Sequence, residues 1–478
     1  MLADSSALPI PHPSSPCASL RPARLPFAAS LLASGVLLAT PTVQAQRAAA
    51  RPALTAGPML GYVTHRDALV WAQTDGAARV SVRYRPEGST GRWSVAPADA
   101  ATAEDGFTAH VRLNGLEPGT RYAYEVLVNE RAVPRPYPTV VATQPLWQWR
   151  TDPPTFTVAI GSCAYVNETA YDRPGTPYGG EYRIFEAVAR LRPDAMLWLG
   201  DNTYLREVDW WTPEGMDRRY RHTRRLPELQ PLLASTAHYA TWDDHDYGPN
   251  DADRAWVQKG AALDLFRRYW GNLSYGLPET PGVFGHFQLA DADVFLLDDR
   301  YYKAPNGLPT DDPAKAYLGE AQLAWLLDAL TTSRAPFKIV VNGGQVLNPV
   351  AVYENMSTHA VERQRLLDEL ARRRIPGVVF LSGDRHMTEL QRLERAGAYP
   401  LYDFTSSSLT AGPSRPHASE VDSPTRVAGT LVTERNFGTL TFAGPRADRT
   451  LTLRTYDAGG ALRWEHTLRA ADLAYPTR

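Results

Sequence analysis

Five times after Pro154, a short apolar or β-branched run stops at a loop that carries chemistry. Phe156 to Ile160 leads into Gly161-Ser162-Cys163, Met196 to Leu199 into Gly200-Asp201-Asn202-Thr203-Tyr204, and His238 to Thr241 into Trp242-Asp243-Asp244-His245-Asp246. Ile339 to Val341 ends in Asn342-Gly343-Gly344-Gln345, and Val379 to Leu381 ends in Ser382-Gly383-Asp384-Arg385-His386. Apolar residues at helical spacing predict helices over Tyr182 to Leu191, Trp256 to Tyr269, Glu320 to Leu330 and Glu362 to Arg374. Strands alternating with helices are the layout of βα units, so the region is predicted to be α/β with a mainly parallel sheet. Ligands bind at the carboxyl edge of such a sheet, which sends all five loops to one rim.

Each loop taken singly has a structural explanation. Gly-Asp after a strand is often a turn whose carboxylate caps the next helix, and acidic clusters such as 243 to 246 are often solvated. Together the loops bring carboxylates, a thiol, a phenol, an imidazole and an amide to one edge. Their mutual repulsion and desolvation would be costly without a cation. Thiolate and phenolate suit a Lewis-acidic transition metal such as Fe(III), whereas carboxylates and amides suit Ca²⁺, Mg²⁺ or Mn²⁺, so two different metals are expected. A pair about 4 Å apart, bridged by a carboxylate, can deprotonate a water and clamp the attacking and leaving oxygens of an in-line phosphoryl displacement.

The rest of the chain sets the context. Its 478 residues hold 50 Lys+Arg against 52 Asp+Glu with no basic block, so no stable nucleic-acid partner is expected. A hydrophobic content of 44% excludes a disordered chain. Arg21 and Arg24 precede the apolar stretch Phe27 to Ala39, and Val43-Gln44-Ala45 follows, which reads as a cleavable secretory signal over residues 1–45. A secreted or periplasmic protein with no membrane span after signal removal is expected. Cys17 leaves with that segment, so Cys163 remains without a disulfide partner, either buried and inert or chemically active.

Residues 52–145 read as short strands at sandwich-like intervals, among them Leu69 to Ala72, Val80 to Tyr84, Thr108 to Val111 and Tyr122 to Val126. The stretch Leu113 to Tyr122 resembles the fibronectin type III pattern around its tyrosine corner. Six prolines between 131 and 154 predict a semi-rigid connection to the region 154–478, whose tail from Phe437 to Leu468 returns to strand-like alternation.

The motifs at 161–163, 200–204, 242–246 and 382–386 occur in an order and spacing that resembles the alkaline phosphatase D (PhoD-like) family of metallophosphoesterases. The resemblance covers most of the chain after residue 45. It implies a calcineurin-like metallophosphoesterase β-sandwich with flanking helices over 154–478, preceded by a fibronectin type III-like all-β domain over 52–145. It further implies Fe³⁺ held by Cys163, Asp201, Tyr204 and His386. Asp201 would bridge to Ca²⁺, with Mg²⁺ or Mn²⁺ as alternatives, which Asp244 and Asp384 also bind and for which Gln345 is a further candidate. His245 would face the substrate phosphoryl group with Asp246 as its orienting partner, and Arg385 and Arg300 would be phosphate contacts unless they form structural ion pairs. The implied activity is an exported phosphoesterase that hydrolyses phosphomonoesters, phosphodiesters or both through a bimetal-bound hydroxide, its partner being a phosphate ester substrate. Two alternatives stand beside it. A covalent nucleophile at Cys163 or Ser162 lacks the Gly-x-Ser-x-Gly turn, and a non-enzymatic secreted binding protein using the β-sandwich would predict lost ligands. Specificity is assigned to the loops Asn167 to Gly180, Glu207 to Pro231 and Gly412 to Gly429.

Overall fold

Phe156–Gly161, Ala195–Leu199 and Ala237–Thr241 lie side by side and parallel, with Ile160 opposite Leu197 and Leu197 opposite Tyr239. A second parallel group consists of Ala292–Leu296, Phe337–Val341, Val378–Ser382 and Leu401–Thr405, in register at Leu296, Val341, Leu381 and Phe404. In the computed structural model, which describes residues 51–475, these groups are the centres of two separate sheets of nine and six strands. The expected signal segment, with Cys17, lies outside the described residues.

The expected mainly parallel sheet is therefore corrected to two mixed ones. In the nine-stranded sheet Asn436–Ala443 returns antiparallel against Phe156–Gly161 and is followed outward by Thr450–Asp457 and Leu462–Arg469. In the six-stranded sheet Gly285–Leu289 and Glu389–Leu393 are antiparallel edges. The central strands are buried along their whole length, which is why they read as continuous apolar runs, whereas Thr450–Asp457 alternates because one face is wet. One apolar cluster holds Val158, Leu197 and Leu199 from the first sheet together with Val294, Ile339 and Leu381 from the second. Tyr239 stacks on Phe287 at 3.8 Å between centroids, and Phe442 meets Phe337 at 5.8 Å. Each such ring buried adds about 1.5–3 kcal/mol.

The N-terminal strands continue the nine-stranded sheet. Leu54–Val63 pairs parallel with Ala237–Thr241 through Leu60 and Ala237, and is followed by Ala68–Thr74 and Thr108–Leu113. A third sheet is built on Ala78–Pro86 and Arg121–Val128. Polar ties reinforce the join: Val63 N donates to Tyr239 Oη (3.2 Å), Trp71 Nε1 to the Arg268 carbonyl (2.9 Å) and Tyr124 Oη to the Ala234 carbonyl (2.7 Å). Helices Ile184–Leu191, Lys259–Tyr269, Glu320–Thr332 and Ala360–Arg372 flank the sheets. A further helix, Pro213–Arg224, was not expected; Thr212 caps it by accepting from Gly215 N at 3.1 Å, with Pro213 in the first turn. Among the described residues no helix is long and apolar enough to cross a membrane.

Candidate metal centre

The loops that leave the parallel strands are laced to one another. Cys163 N donates to the Gly200 carbonyl (3.3 Å), Ala164 N to the Asp201 carbonyl (2.8 Å), Leu205 N to the His245 carbonyl (3.1 Å) and Gly383 N to the Gly343 carbonyl (2.7 Å). Ser162 Oγ reaches the Ser406 carbonyl at 2.9 Å and so joins the ends of the two sheets. Four residues in these loops, Cys163, Asp201, Asp384 and His386, have left-handed backbone with φ of 60°, 52°, 64° and 53°. L-residues avoid that region, and such strain persists where surrounding structure over-determines a side chain's direction. Gly200 has φ +95°, and a Cβ there would meet Asp243 Cβ at 2.7 Å, so the position cannot carry a side chain.

The soft half of the cluster is formed by four residues. One ligand atom each from Cys163, Asp201 and His386 lies within 4.8 Å of the others. Tyr204 Oη is 2.9 Å from Asp201 Oδ2 and 3.0 Å from His386 Nε2, and Cys163 Sγ is 3.6 Å from that same carboxylate oxygen. His386 Nδ1 lies 2.7 Å from the Gly412 carbonyl, which fixes its proton there and turns the Nε2 lone pair toward Tyr204. One phenolic proton cannot satisfy an imidazole lone pair and a carboxylate together. Burial pushes the Cys163 thiol up to about 11, and burial with the neighbouring Asp244 raises Asp201 well above the carboxylate range. A thiol, a phenol, an imidazole and a carboxylate converging on one point suit a transition-metal ion, whose charge would reverse these shifts.

Asp201 also serves the other half. Its Oδ1 accepts from His245 N at 3.2 Å, and one ligand atom each from Asp201, Asp244 and His245 lies within 4.8 Å of the others. Burial alone would raise Asp244, but His245 and Arg300 hold it below the usual carboxylate range. Asp384 falls outside these groups; its Oδ2 is buried without a hydrogen-bond partner, and burial pushes its carboxyl up to about 7 against the pull of Arg385. An orphaned carboxylate oxygen beside a second acidic group fits a hard cation. His245 Nδ1 is likewise buried without a partner, and its ring lies 4.3 Å from that of Tyr204.

Other expected site residues are placed elsewhere. Asp246 does not orient His245: its carboxylate accepts from the backbone of Asn202 (3.1 Å), Thr203 (3.0 Å) and Asp243 (3.1 Å) and from Asn202 Nδ2 (3.2 Å). Of the two readings open for Arg385, phosphate contact or structural ion pair, its side chain, 2% exposed, forms the pair, bidentate with Glu420 at 2.8 and 2.7 Å. Gln345 is corrected from a ligand to a buried brace. Its Nε2 donates to Glu389 and Thr405 (both 2.8 Å), while its Oε1 accepts from Asn348 (2.8 Å) and Arg385. Arg300 is an ion-pair residue too, held by Asp243 and Glu354, and Lys303 pairs with Glu354. Asp243 and Glu354 were missed. Ligand atoms of Asp243, Asp244 and Glu354 lie within 4.8 Å of one another, but Arg300 and Lys303 already supply that group with positive charge. The sequence signalled Asp243 through its adjacency to Asp244; Glu354 is brought in by a left-handed turn at Tyr353 and Glu354 that no motif marks.

A family model described as PhoD-like phosphatase matches residues 158–444, and one described as a domain of unknown function matches residues 51–145. Alkaline phosphatase D of Bacillus subtilis (strain 168) is 23% identical over 357 residues, which is 64% of this chain and 58% of that protein. The chain thus matches less than two thirds of the length of that curated relative. Among solved structures, that of PhoD superposes with a TM-score of 0.72 at 17% identity, covering 87% of this chain and 90% of the other. The purple acid phosphatase PPD1 from yellow lupin (Lupinus luteus) seeds superposes with a TM-score of 0.63 at 11% identity, covering 90% and 77%. These likenesses show a metallophosphoesterase-like fold of mixed α/β sheets. With more than half its length matched by the family model, the chain belongs to the PhoD-like phosphatase family.

Proposed function

We propose that this protein is a secreted or periplasmic phosphoesterase that hydrolyses phosphomonoesters, phosphodiesters or both with two bound cations. Fe³⁺ is assigned to Cys163, Asp201, Tyr204 and His386, and Ca²⁺, or else Mg²⁺ or Mn²⁺, to Asp201, Asp244 and Asp384. The observation that carries the reading is the position of Asp201, whose two oxygens face the two halves of the cluster separately. When bound, such a pair supplies Lewis acidity to a phosphoryl oxygen and acidifies a water, which is what in-line displacement at phosphorus needs.

The residues of the chain hold and orient. The Gly412 carbonyl fixes the His386 tautomer, and Ser407 Oγ, 3.1 Å from Cys163 Sγ, supports the thiolate form. His245 is assigned to hold a proton for the leaving oxygen or to stabilise charge on the phosphoryl group, a reading supported by its half-buried ring and its Nδ1 free of protein partners. Arg385 and Gln345 are given no part, because their side chains are engaged by Glu420, Glu389, Thr405 and Asn348. Export rests on the signal-like pattern of residues 1–45. A fibronectin type III-like identity for residues 52–145 is supported by Tyr122 Oη, which accepts from Glu117 N at 2.8 Å in the manner of a tyrosine corner.

The test is metal content with hydrolysis of an aryl phosphate and a bis-aryl phosphate, measured on the parent, Asp201→Ala and His245→Ala. Expected are iron and a second metal in the parent and no turnover of either ester by Asp201→Ala. His245→Ala should lose rate while keeping metal. Full activity without iron would overturn the assignment of Cys163 and Tyr204.

A further inference from the structure

Arg206 stands two residues beyond Tyr204 and is only 6% exposed. Its guanidinium makes contacts in two ligand-bearing loops at once. Nη2 donates to the Val166 carbonyl at 2.9 Å, three residues after Cys163, and Nη1 donates to the carbonyl of Tyr204 itself. Asp172 neutralises it, accepting from Nε (3.2 Å) and Nη2 (2.9 Å). Its Cζ lies over the ring of Tyr165, 3.9 Å from the centroid; the Tyr165 hydroxyl donates to Asp172 at 2.7 Å and its ring is 5.1 Å from that of Tyr204. Asp172 in turn accepts from Glu168 N.

A surface-style ion pair would need none of the two carbonyl contacts. The planar fork of arginine can reach both carbonyls, one carboxylate and a ring face together; lysine, a point charge on a flexible stem, can keep the carboxylate but not the fork. We propose that Arg206 is a positioning residue: by tying the Cys163 loop to the backbone of Tyr204 it sets the distance and angle at which the Tyr204 phenol meets the metal. The proposal rests on the assignment of Tyr204 as an iron ligand.

The test uses the iron-loaded full chain. Arg206→Lys is expected to shift and weaken the visible phenolate-to-iron absorption while bound iron and the thermal midpoint stay near those of the parent. It should also lower kcat for an aryl phosphate by about 10- to 100-fold with KM little changed, the scale seen when the supports of metal ligands are removed. A paired Arg206→Met, Asp172→Asn variant removes both charges together and is expected to behave alike where lysine is not accommodated. An unchanged absorption and kcat in a folded variant overturns the proposal, and so does failure of both variants to fold, which makes Arg206 a residue of the folding core alone. A parent without such absorption, or one whose absorption survives Tyr204→Phe, instead takes Tyr204 off the iron and the positioning role with it.

Discussion

Asp246 and Asn202 are bonded twice, the carboxylate accepting from the backbone N at 3.1 Å and from Nδ2 at 3.2 Å. A single buried carboxylate thereby clamps the loop of Asp201 to the helical turn that carries Asp244 and His245. Asp246→Ala leaves buried donors without an acceptor and is expected to cost at least about 2 kcal/mol of stability. Urea unfolding checks it; a midpoint equal to the parent's would show that the clamp carries no weight.

Asp201→Ala is expected to remove both metals together, because each oxygen of that carboxylate faces a different half of the cluster. Turnover of both esters should be lost, well beyond the roughly 100-fold fall that follows removal of a single group stabilising transition-state charge. Elemental measurement on the dialysed protein decides it, and retention of either metal at full occupancy would contradict a bridging position.

Arg385→Ala strands Glu420 in the interior and is expected to cost about 3–5 kcal/mol. Arg385→Met combined with Glu420→Leu should recover most of that loss, along with near-parental turnover. If the double variant is stable but inactive, Arg385 touches substrate after all.

Acid sensitivity should have a component from His238. This fully buried imidazole accepts from Trp198 Nε1 at Nδ1 (2.9 Å) and faces the Leu232 carbonyl through Nε2 (3.2 Å), so both nitrogens are committed in the neutral form. Burial pushes its pKa down to about 3. The unfolded chain takes up the proton first, so stability is intact above about pH 6.5 and falls by up to about 1.4 kcal/mol per unit between there and pH 3. Chemical denaturation from pH 7 to 4 reads this slope, and His238→Gln should flatten it while lowering stability at pH 7.

The strand-to-loop junctions were legible because a central strand is apolar along its length and stops abruptly where polar chemistry begins, as at Leu199 and Asp201. Sequence position says which loop a side chain leaves from, not which way it turns. Gln345 and Arg385 leave the same rim as Asp384 but rotate back against Glu389 and Glu420. Helix Pro213–Arg224 escaped notice because its buried side includes Asp217, Arg219 and Arg224, which meet Arg268, Glu168 and the Tyr269 carbonyl, all more than forty residues away in sequence. The antiparallel edges were equally hidden, since strand direction depends on which neighbour a segment meets.

Leu54–Val63 shares a sheet with Ala237–Thr241, and that has a practical corollary for anyone trimming or swapping the first hundred residues. Cutting before residue 150 would not release a passenger module. It would uncover the Ala237 end of that strand, strip Tyr239 and Ala234 of their polar companions, and invite edge-to-edge association there. The strand whose far end carries Asp244 and His245 is built partly by the amino-terminal third of the molecule.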